Sequence, residues 1–506
     1  MGVPAREIDF DQVEMVDTKN SSMKVDKTFT DEIVIGICGQ LGVDLEIFSK
    51  ELSDILSEDY LYQCQEIKMS SFIFKYADVI PPANLYDRII AGMEKGDELR
   101  SKFSHNILAD FAIAQIGRTR IEDTLPEDIK IGKFNSRRKC FIINSIKHPS
   151  EYELLKKVYK DSLYMIGVFS PYDERVEFLK SKFNRKNHDK IDTLIDRDTA
   201  EDIQNGQNVE GAFIHSDYFI RTFTGDKTMK LKLEKFLNLI FDFGINTPTI
   251  EERAMYQATS ASANSACLSR QVGACITDKY GEVLSIGWND VPSPGGGVYY
   301  TEKPNDQRCY VRGFCANSQK KDELRKNMIG GLLNKNIITE EQEIVASEIL
   351  NKNGLKNLIE FARSIHAEMH ALILGCQNTG NRMVGGKLFC TTYPCHNCAR
   401  HIVLAGLKEV YYIEPYRKSL CLELHDDAIT EDEKCTGTKV KFLMYEGVAP
   451  KSFIKLYQVN SDNRKIKLNN QNKNLLIPKY RITLRAVNEL ESISANCLKS
   501  NNLPLV

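Results

Sequence analysis

Two short segments constrain this chain more than any other feature of its sequence. The first is His366-Ala-Glu368, and the second, further along the chain, is Pro394-Cys395-His-Asn-Cys398. One imidazole and two thiolates are ligands that Zn²⁺ prefers, and three protein ligands leave a fourth position open for water. The residues after Cys395 have helical character, and a helix N-terminus favours the thiolate form of cysteine. The spacing therefore predicts a zinc site formed by His366, Cys395 and Cys398.

Glu368 follows the predicted ligand His366 by two residues. A carboxylate at this distance would lie close to the metal-bound water without binding the metal, so Glu368 is predicted to act as the proton shuttle. The combined pattern H-x-E…P-C-x-x-C resembles the motif of the zinc deaminases. His370 forms a competing helical pair with His366, but no third ligand accompanies that pair. We interpret His370 as a packing or supporting residue.

The 506 residues are too many for one ordinary core, so we expect more than one domain. In the first half, an apolar run at 33–37 leads into a glycine turn at 39–42 and then into residues with helical periodicity. Strand-like runs at 140–146 and 163–170 flank a helical stretch at 149–159. This alternation of strand and helix predicts a parallel α/β sheet.

A second pattern begins near residue 251, where a helix precedes a predicted hairpin. The helix opened by His366, the strand-like run 387–392, the helix after Cys395 and the run 409–413 complete a second α/β unit. The predicted divisions are an N-terminal tail (1–29), an α/β domain (30–244), a second α/β domain (245–459) with a charged helical insertion (318–360), and a linker with a C-terminal element (460–506).

The bulk composition narrows the function classes. The net charge of −2 lacks the basic excess that proteins gripping long nucleic acids usually carry. No apolar stretch approaches the roughly 20 residues of a membrane span, and the N-terminus does not resemble a signal peptide. Most of the 14 cysteines are therefore expected to be reduced, and we expect a cytoplasmic protein without a membrane partner.

The likeness to known deaminases extends beyond the zinc motif. Residues 269–274 and 287–292 resemble the hairpin and Asn-x-x-Pro loop of the deoxycytidylate deaminase family. The resemblance implies that Asn289 hydrogen-bonds the 3′-hydroxyl of a deoxyribose. The alternative is that Asn289 is a turn residue before Pro292. Many members have Asn where this chain has His370, so the sequence leaves the choice between dCTP and dCMP open.

The chain is still more similar to bacterial antiphage dCTP/dCMP deaminases, in which a P-loop kinase-like domain precedes the deaminase domain. The segments that carry this resemblance are 143–151, 166–171, 295–300, 389–399, 413–419 and 424–425. The resemblance implies an N-terminal P-loop kinase-like parallel α/β domain and a C-terminal cytidine-deaminase-like α/β/α domain. It also implies a homo-oligomer, commonly a hexamer, and a regulatory ligand or an RNA or protein inhibitor at the N-terminal domain.

Three further residues in the matched segments are candidates for substrate binding. Tyr416 would form a wall for the flat cytosine ring, since an aromatic face stacks on any base; a structural aromatic at a strand end is the alternative. Arg270 and Lys418 would bind phosphate, and ordinary solvated charges are the alternative for both.

The glycine turn of the first half resembles a degenerate P-loop. When Gly39 is aligned with the first glycine of GxxxxGK[ST], Asp44 and Leu45 stand where the second glycine and the phosphate-binding lysine belong. Gly42 is the second glycine of this turn. Without the lysine, we expect no unassisted hydrolysis of a nucleoside triphosphate. The loop either binds a nucleotide weakly or only closes the fold.

Taken together, the motif and the resemblance imply a zinc-dependent hydrolase that converts free dCTP, dCMP or both to deoxyuridine nucleotides. By resemblance, the reaction depletes dCTP in antiphage defence. Two alternatives remain open. One is a base deaminase that acts on tRNA or DNA, and the other is a nucleotide-sensing regulatory protein with a vestigial deaminase site.

Overall fold

The computed structural model describes residues 25–127, 136–199, 206–352, 354–355, 358–416, 419–459 and 472–503. Residues 1–24 of the predicted tail and 460–471 of the predicted linker lie outside these ranges. Two six-stranded sheets organise the chain. In chain order the strands are β1 (Ile33–Gly39), β2 (Gln63–Lys68), β3 (Lys139–Asn144), β4 (Leu163–Phe169), β5 (Tyr218–Arg221), β6 (Gly273–Thr277), β7 (Val283–Trp288), β8 (Lys387–Thr392), β9 (Glu409–Glu414), β10 (Ile429–Thr430), β11 (Val440–Met444) and β12 (Gly447–Val448).

The α-helices surround these two sheets. In chain order they are α1 (Leu45–Tyr60), α2 (Met69–Tyr76), α3 (Leu85–Lys102), α4 (Ile107–Glu122), α5 (Pro149–Tyr159), α6 (Tyr172–Lys182), α7 (Ile191–Thr199), α8 (Val209–Phe213), α9 (Met229–Ile240), α10 (Ile250–Ser262), α11 (Cys309–Arg312), α12 (Ala316–Asn334), α13 (Glu343–Lys352), α14 (Ala367–Thr379), α15 (His396–Leu404), α16 (Cys421–Leu424), α17 (Phe453–Tyr457) and α18 (Leu484–Ser500). No helix in the described ranges is both long enough and apolar enough to cross a membrane.

The first sheet has the strand order β2-β3-β1-β4-β5-β12, and its first five strands are parallel. Every residue of β1, β3 and β4 is buried, as expected for parallel strands covered by helices on both faces. Leu52 of α1 and Phe236 of α9 pack in the core on one face, and Phe111 of α4 packs in the core on the other. The predicted parallel sheet in the first half is confirmed.

The second sheet has the order β10-β11-β9-β8-β6-β7. Strands β6 and β7 form the predicted antiparallel hairpin, β8 is antiparallel to β6, and β8, β9, β11 and β10 run parallel. Helix α10 packs with Cys275 and Phe389 on one face, whereas α14 and α15 pack with Ala274 and Leu388 on the other. The second half is therefore an α/β/α layer structure.

The chain returns to the first sheet after completing the second. Strand β12 pairs antiparallel with β5, only two residues after β11 ends. Helix α18 packs against α4, and the buried Glu491 of α18 forms an ion pair with Arg120 of α4 at 3.0 Å. Arg120 also pairs with the buried Glu32, at the start of the first sheet. Residues 447–448, assigned to the second domain by sequence, thus lie in the first sheet.

Candidate active site

Helices α14 and α15 both begin at the predicted metal ligands. His366 is the N-cap residue of α14, and Cys395 is the N-cap residue of α15, which follows the carboxyl end of β8. N-cap residues have extended backbone angles, so their side chains project from the helix end rather than along its flank. The two helix ends meet over the second sheet.

A glycine of the hairpin brings α14 close to the sheet. A β-carbon at Gly287 of β7 would lie 2.4 Å from the backbone nitrogen of Ala371 in α14. No side chain other than hydrogen fits at this distance, so Gly287 allows the helix backbone to press directly on the strand. The close packing fixes the height of His366 above the sheet.

The three predicted ligands converge. Nδ1 of His366 lies 3.3 Å from Sγ of Cys395 and 3.3 Å from Sγ of Cys398. A tetrahedral zinc ion with ordinary Zn–N and Zn–S bonds needs these atoms about 3.5 Å apart. Within the described ranges, these side chains form the group of three metal-capable residues whose ligand atoms lie within 4.8 Å of one another. The donor set and its spacing fit zinc.

Glu368 lies beside this group and is 4% exposed. Burial raises the pKa of the Glu368 carboxyl, whereas the neighbouring His366 lowers it. The pKa of the Cys395 thiol is lowered, chiefly by its hydrogen bond with Cys398 and also by His366. A carboxyl group that is buried and responds to its neighbours in this way is suited to accept and release a proton.

His370 lies one turn further along α14 and faces the hairpin. Its Nδ1 lies 3.0 Å from the carbonyl oxygen of Trp288, and the two rings are in edge contact with centroids 4.8 Å apart. Burial lowers the pKa of His370. These contacts fit the packing role that we predicted for His370.

Asn289 and Asp290 hold the loop after β7 against its neighbours. The Asn289 side chain accepts a hydrogen bond from the Val272 N–H at 2.7 Å and donates one to the Arg270 carbonyl oxygen at 2.8 Å. The Asp290 carbonyl oxygen accepts a hydrogen bond from the Ile365 N–H at 2.9 Å, next to His366. Asp290 was given no role from the sequence, although a polar residue directly after a strand was a usable signal.

Arg270 and Tyr416 lie at the open side of the site. Nη2 of Arg270 is 3.2 Å from Oε1 of Glu414, and the Arg270 side chain is 48% exposed. Burial raises the pKa of Tyr416, with a smaller contribution from Cys395 and an opposing one from Arg270. Tyr416 therefore lies near both a zinc ligand and a cation. Lys418 lies outside the described residues.

The glycine turn after β1 is tightly packed. Gly42 has a φ of 92°, and a β-carbon there would lie 2.9 Å from the Arg175 carbonyl oxygen. The Leu45 side chain covers Gly39, where a β-carbon would lie 2.6 Å from Leu45 Cδ2. The Asp44 side chain caps α1 by accepting a hydrogen bond from the Ile47 N–H at 3.1 Å.

A carboxylate from α7 also enters this turn. Oδ2 of Asp198 accepts a hydrogen bond from the Leu41 N–H at 2.8 Å, and Oδ1 lies 2.8 Å from Nζ of Lys147. The Asp198 side chain is 1% exposed. A backbone N–H and a cation thus hold an internal anion at the carboxyl end of β1. The sequence carried no local signal for this contact, because 157 residues separate Leu41 from Asp198.

Comparisons with known proteins concern the second half of the chain. Residues 248–414 match the cytidine and deoxycytidylate deaminase zinc-binding region. The deoxycytidylate deaminase of Enterobacteria phage T2 is 30% identical over 162 residues, which span 31% of this chain and 76% of the phage protein. ComE operon protein 2 of Bacillus subtilis (strain 168) is 48% identical over 56 residues, 11% of this chain and 29% of that protein. The structure of dCMP deaminase from cyanophage S-TIM5 in complex with dCMP and dUMP has 22% sequence identity and a TM-score of 0.24, and the match covers 40% of this chain and 99% of that one.

These matches bear on two of the expectations from sequence. The predicted zinc cofactor is confirmed, since the matched region is a zinc-binding one and His366, Cys395 and Cys398 converge within it. The cytidine-deaminase-like fold of the second half is also confirmed. The P-loop kinase-like fold of the first half stays a prediction. From the extent of the T2 match and the zinc-binding region together, the chain belongs to the deoxycytidylate deaminase family.

Proposed function

We propose that this protein converts free deoxycytidine nucleotides to deoxyuridine nucleotides by zinc-dependent hydrolytic deamination. The observation that carries the proposal is the buried Glu368 carboxyl beside the convergent His366, Cys395 and Cys398. One acid–base group next to three metal ligands is the minimum that this chemistry needs.

The reaction joins a water oxygen to C4 of cytosine and breaks the bond from C4 to the amino nitrogen. Zinc, when bound to His366, Cys395 and Cys398, makes the attacking water more acidic and more nucleophilic. The Glu368 carboxylate takes a proton from that water and delivers it to N3 of the ring. It then moves the second proton to the departing amino group, so the products are a uracil nucleotide and ammonia.

The open side of the site supplies candidate substrate contacts. Tyr416 stacks on the cytosine ring in this proposal, and Arg270 binds the 5′-phosphate. Lys418 remains a second candidate for phosphate binding. Asn289 uses one N–H and one lone pair on the 270–272 backbone. Its remaining donor and acceptor capacity suits the 3′-hydroxyl of deoxyribose.

The substrate tested first is dCMP, because the T2 relative is a deoxycytidylate deaminase. Action on dCTP, and its depletion in antiphage defence, form the further part of the proposal. The N-terminal domain acts as a P-loop kinase-like regulator without hydrolysing a nucleotide. Support comes from Leu45 over the glycine turn and from the Asp198 carboxylate bound inside it. A homo-oligomer, a hexamer by resemblance, is part of the same proposal.

The deciding experiment compares wild type with Glu368→Gln. Ammonia release from dCMP, dCTP, deoxycytidine, single-stranded DNA and tRNA is measured together with zinc content. Glu368→Gln should keep about one zinc per chain and lose activity on free nucleotides by about 10²–10⁴-fold, because proton transfer alone is removed. Glu348→Gln, an exposed substitution on α13, is the matched control and should be fully active.

Three results would overturn the proposal. Near wild-type turnover by Glu368→Gln would remove Glu368 from the mechanism. Efficient deamination of an internal base in DNA or tRNA would favour a nucleic-acid deaminase, and inactivity of the zinc-loaded wild type on every nucleotide would favour a sensor with a vestigial site.

A further inference from the structure

A large cleft lies between the two sheets, apart from the zinc ligands. Its volume is about 1300 Å³. Gln40 of the glycine turn and Arg175 of α6 line one side, and Tyr412 and Glu431 of the second half line the other. Phe169 and Arg221, the last residues of β4 and β5, are part of the lining, and crevices at the carboxyl ends of parallel strands are where open α/β sheets bind ligands.

The charge of the cleft favours a cationic occupant. Among the described residues that line it, ten are Asp or Glu and five are Lys or Arg. Four of those five cations already pair with carboxylates of the lining. The pairs are Arg221–Glu433, Lys232–Glu446, Lys235–Glu252 and Lys434–Glu174. An anion such as a nucleoside triphosphate would meet a surplus of carboxylates, whereas a cation would relieve their mutual repulsion.

The lining of the cleft contains an acceptor that lacks a donor. The Gln40 side chain is 8% exposed, and its Oε1 has no hydrogen-bond partner among the residues that the structure describes. A buried acceptor without a donor destabilises the fold. An occupant that brings an N–H donor to Gln40 would remove this cost.

Two carboxylates of the lining, Glu210 and Glu431, act on the buried Tyr412 in the wall of the cleft. The pKa of Tyr412 is raised by burial and by Glu431, with Glu210 adding to the rise and Arg175 opposing it, so these groups lie close together. Partial burial raises the pKa of Glu431 as well, whereas a hydrogen bond with Tyr393 and the charge of Arg175 lower it, and the residue remains accessible to solvent. A carboxyl group that is desolvated yet accessible is stabilised as a carboxylate by an incoming cation.

The acceptors of the lining are spread apart, which favours a flexible cation with several ammonium groups over a single metal ion. Within the described ranges, the group of three metal-capable side chains that converges is the zinc site, and it lies outside this lining. A single metal ion needs such convergence, whereas a flexible chain with several ammonium groups does not. Tyr393 and Tyr416 also line the cleft, and aromatic faces attract ammonium groups and cover methylene chains.

We infer that this cleft is a second ligand site, which binds an aliphatic polyamine through Gln40, Glu431 and Tyr393. The site shares a wall with the zinc site. Ser419 lines the cleft, and its hydroxyl donates a hydrogen bond of 2.9 Å to the carbonyl oxygen of Pro394, next to Cys395. An occupant therefore contacts the segment that carries Tyr416.

The test is isothermal titration of zinc-loaded, full-length protein with spermidine at an ionic strength held constant with NaCl. Wild type should bind spermidine saturably, and Glu431→Gln should weaken binding by about tenfold, since one charge-assisted contact is lost. Gln40→Leu, which keeps the side-chain size but removes the acceptor, should also weaken binding. Glu177→Gln removes the same charge from the outer surface of α6, where its side chain is 70% exposed, and should bind as wild type does.

Three outcomes would overturn the inference. Equal binding by wild type, Glu431→Gln and Gln40→Leu would show general charge attraction. If MgCl₂ at matched ionic strength displaces spermidine equally well from wild type and from both variants, the binding is again general charge attraction. The third outcome concerns dCTP in competition with spermidine. If the double variant Glu368→Gln/Glu431→Gln binds dCTP more tightly than Glu368→Gln does, the cleft is an anion site. Because binding is measured without turnover, the result is independent of whether the proposed deamination is correct.

Discussion

The Asp198 carboxylate accepts a hydrogen bond of 2.8 Å from the Leu41 N–H, in the glycine turn where a phosphate-binding loop would hold its ligand. Lys147 neutralises the same carboxylate at 2.8 Å. The Leu41 N–H of the turn is therefore already bound to an internal anion. This contact stabilises the turn without any nucleotide.

Asp198→Ala should lower the free energy of unfolding by about 3 kcal/mol, because Lys147 loses its buried partner. Urea denaturation measures the loss. Asp189→Ala, an exposed substitution just before α7, is the control and should change stability by less than about 0.5 kcal/mol. Inorganic phosphate at constant ionic strength should restore part of the stability of Asp198→Ala and leave wild type unchanged. Equal free energies of unfolding for Asp198→Ala and Asp189→Ala would contradict a stabilising contact between Asp198 and Lys147.

Asn289→Ala should lower kcat/KM for dCMP by about 5- to 150-fold, the equivalent of 1–3 kcal/mol for a buried hydrogen-bonding group. The comparison with 2′,3′-dideoxycytidine monophosphate separates two roles of this side chain. If Asn289 binds the 3′-hydroxyl, wild type prefers dCMP and the variant loses that preference. An equal loss on both substrates would limit Asn289 to holding the loop at residues 270–272.

Glu414→Gln should lower KM for dCMP by about threefold at unchanged kcat, since an exposed ion pair contributes only about 0.2–1 kcal/mol and Arg270 is then freed for the phosphate. Deoxycytidine, which lacks a phosphate, should react with both forms equally. Steady-state kinetics with both substrates measure the difference. The decrease in KM for dCMP should be absent when Arg270 is also changed to Gln. A decrease that persists in the Arg270→Gln background would contradict a shared role of Arg270 and Glu414.

His148 should make the fold sensitive to acid. Its Nδ1 accepts a hydrogen bond from the Ser150 N–H at 3.2 Å, which requires the neutral ring. Burial, with Arg100 and His105 nearby, lowers the pKa of His148 from 6.5 to about 4. At pH values between 4 and 6.5, the unfolded chain binds a proton at His148 that the folded chain does not. The free energy of unfolding therefore falls as the pH drops from 6.5 to 4, by on the order of 2 kcal/mol.

Urea denaturation between pH 4.5 and 7 tests this pH dependence. His148→Asn keeps a side-chain acceptor at the helix N-cap without a titrating ring, and its stability should depend less on pH in this window. Parallel pH profiles for wild type and variant would rule His148 out as the sensitive group.

Local patterns in the sequence predicted the parts of the structure that local physics determines. The helix beginning at Pro149 and the strand at 387–392 have the predicted bounds, because proline at a helix start and an apolar run after a glycine turn are strong local signals. The zinc ligands were predicted from the spacing of His366, Cys395 and Cys398 and from its resemblance to the zinc deaminase motif, and in the structure His366 and Cys395 each cap a helix.

Contacts between segments that are far apart in the chain leave no local pattern in the sequence. Arg270 and Glu414 meet only because β6 and β9 both lie beside β8 in one sheet. Helix α4 was missed because most of it is buried: an apolar pattern without a polar face has no helical periodicity to detect. The short strand β12 was missed because two residues are too few to show any alternation.

The return of the chain to the first sheet has a consequence for its biosynthesis. Glu491 and Arg120 are 371 residues apart, and β12 reaches β5 only after the whole second sheet has been made. During translation the first 245 residues emerge with one sheet edge unpaired and α4 uncovered, and they wait for the remainder of the chain. Such surfaces bind chaperones or aggregate while they wait. Termination before residue 447 would therefore leave the first sheet without its edge strand β12, and termination before residue 484 would leave α4 without α18.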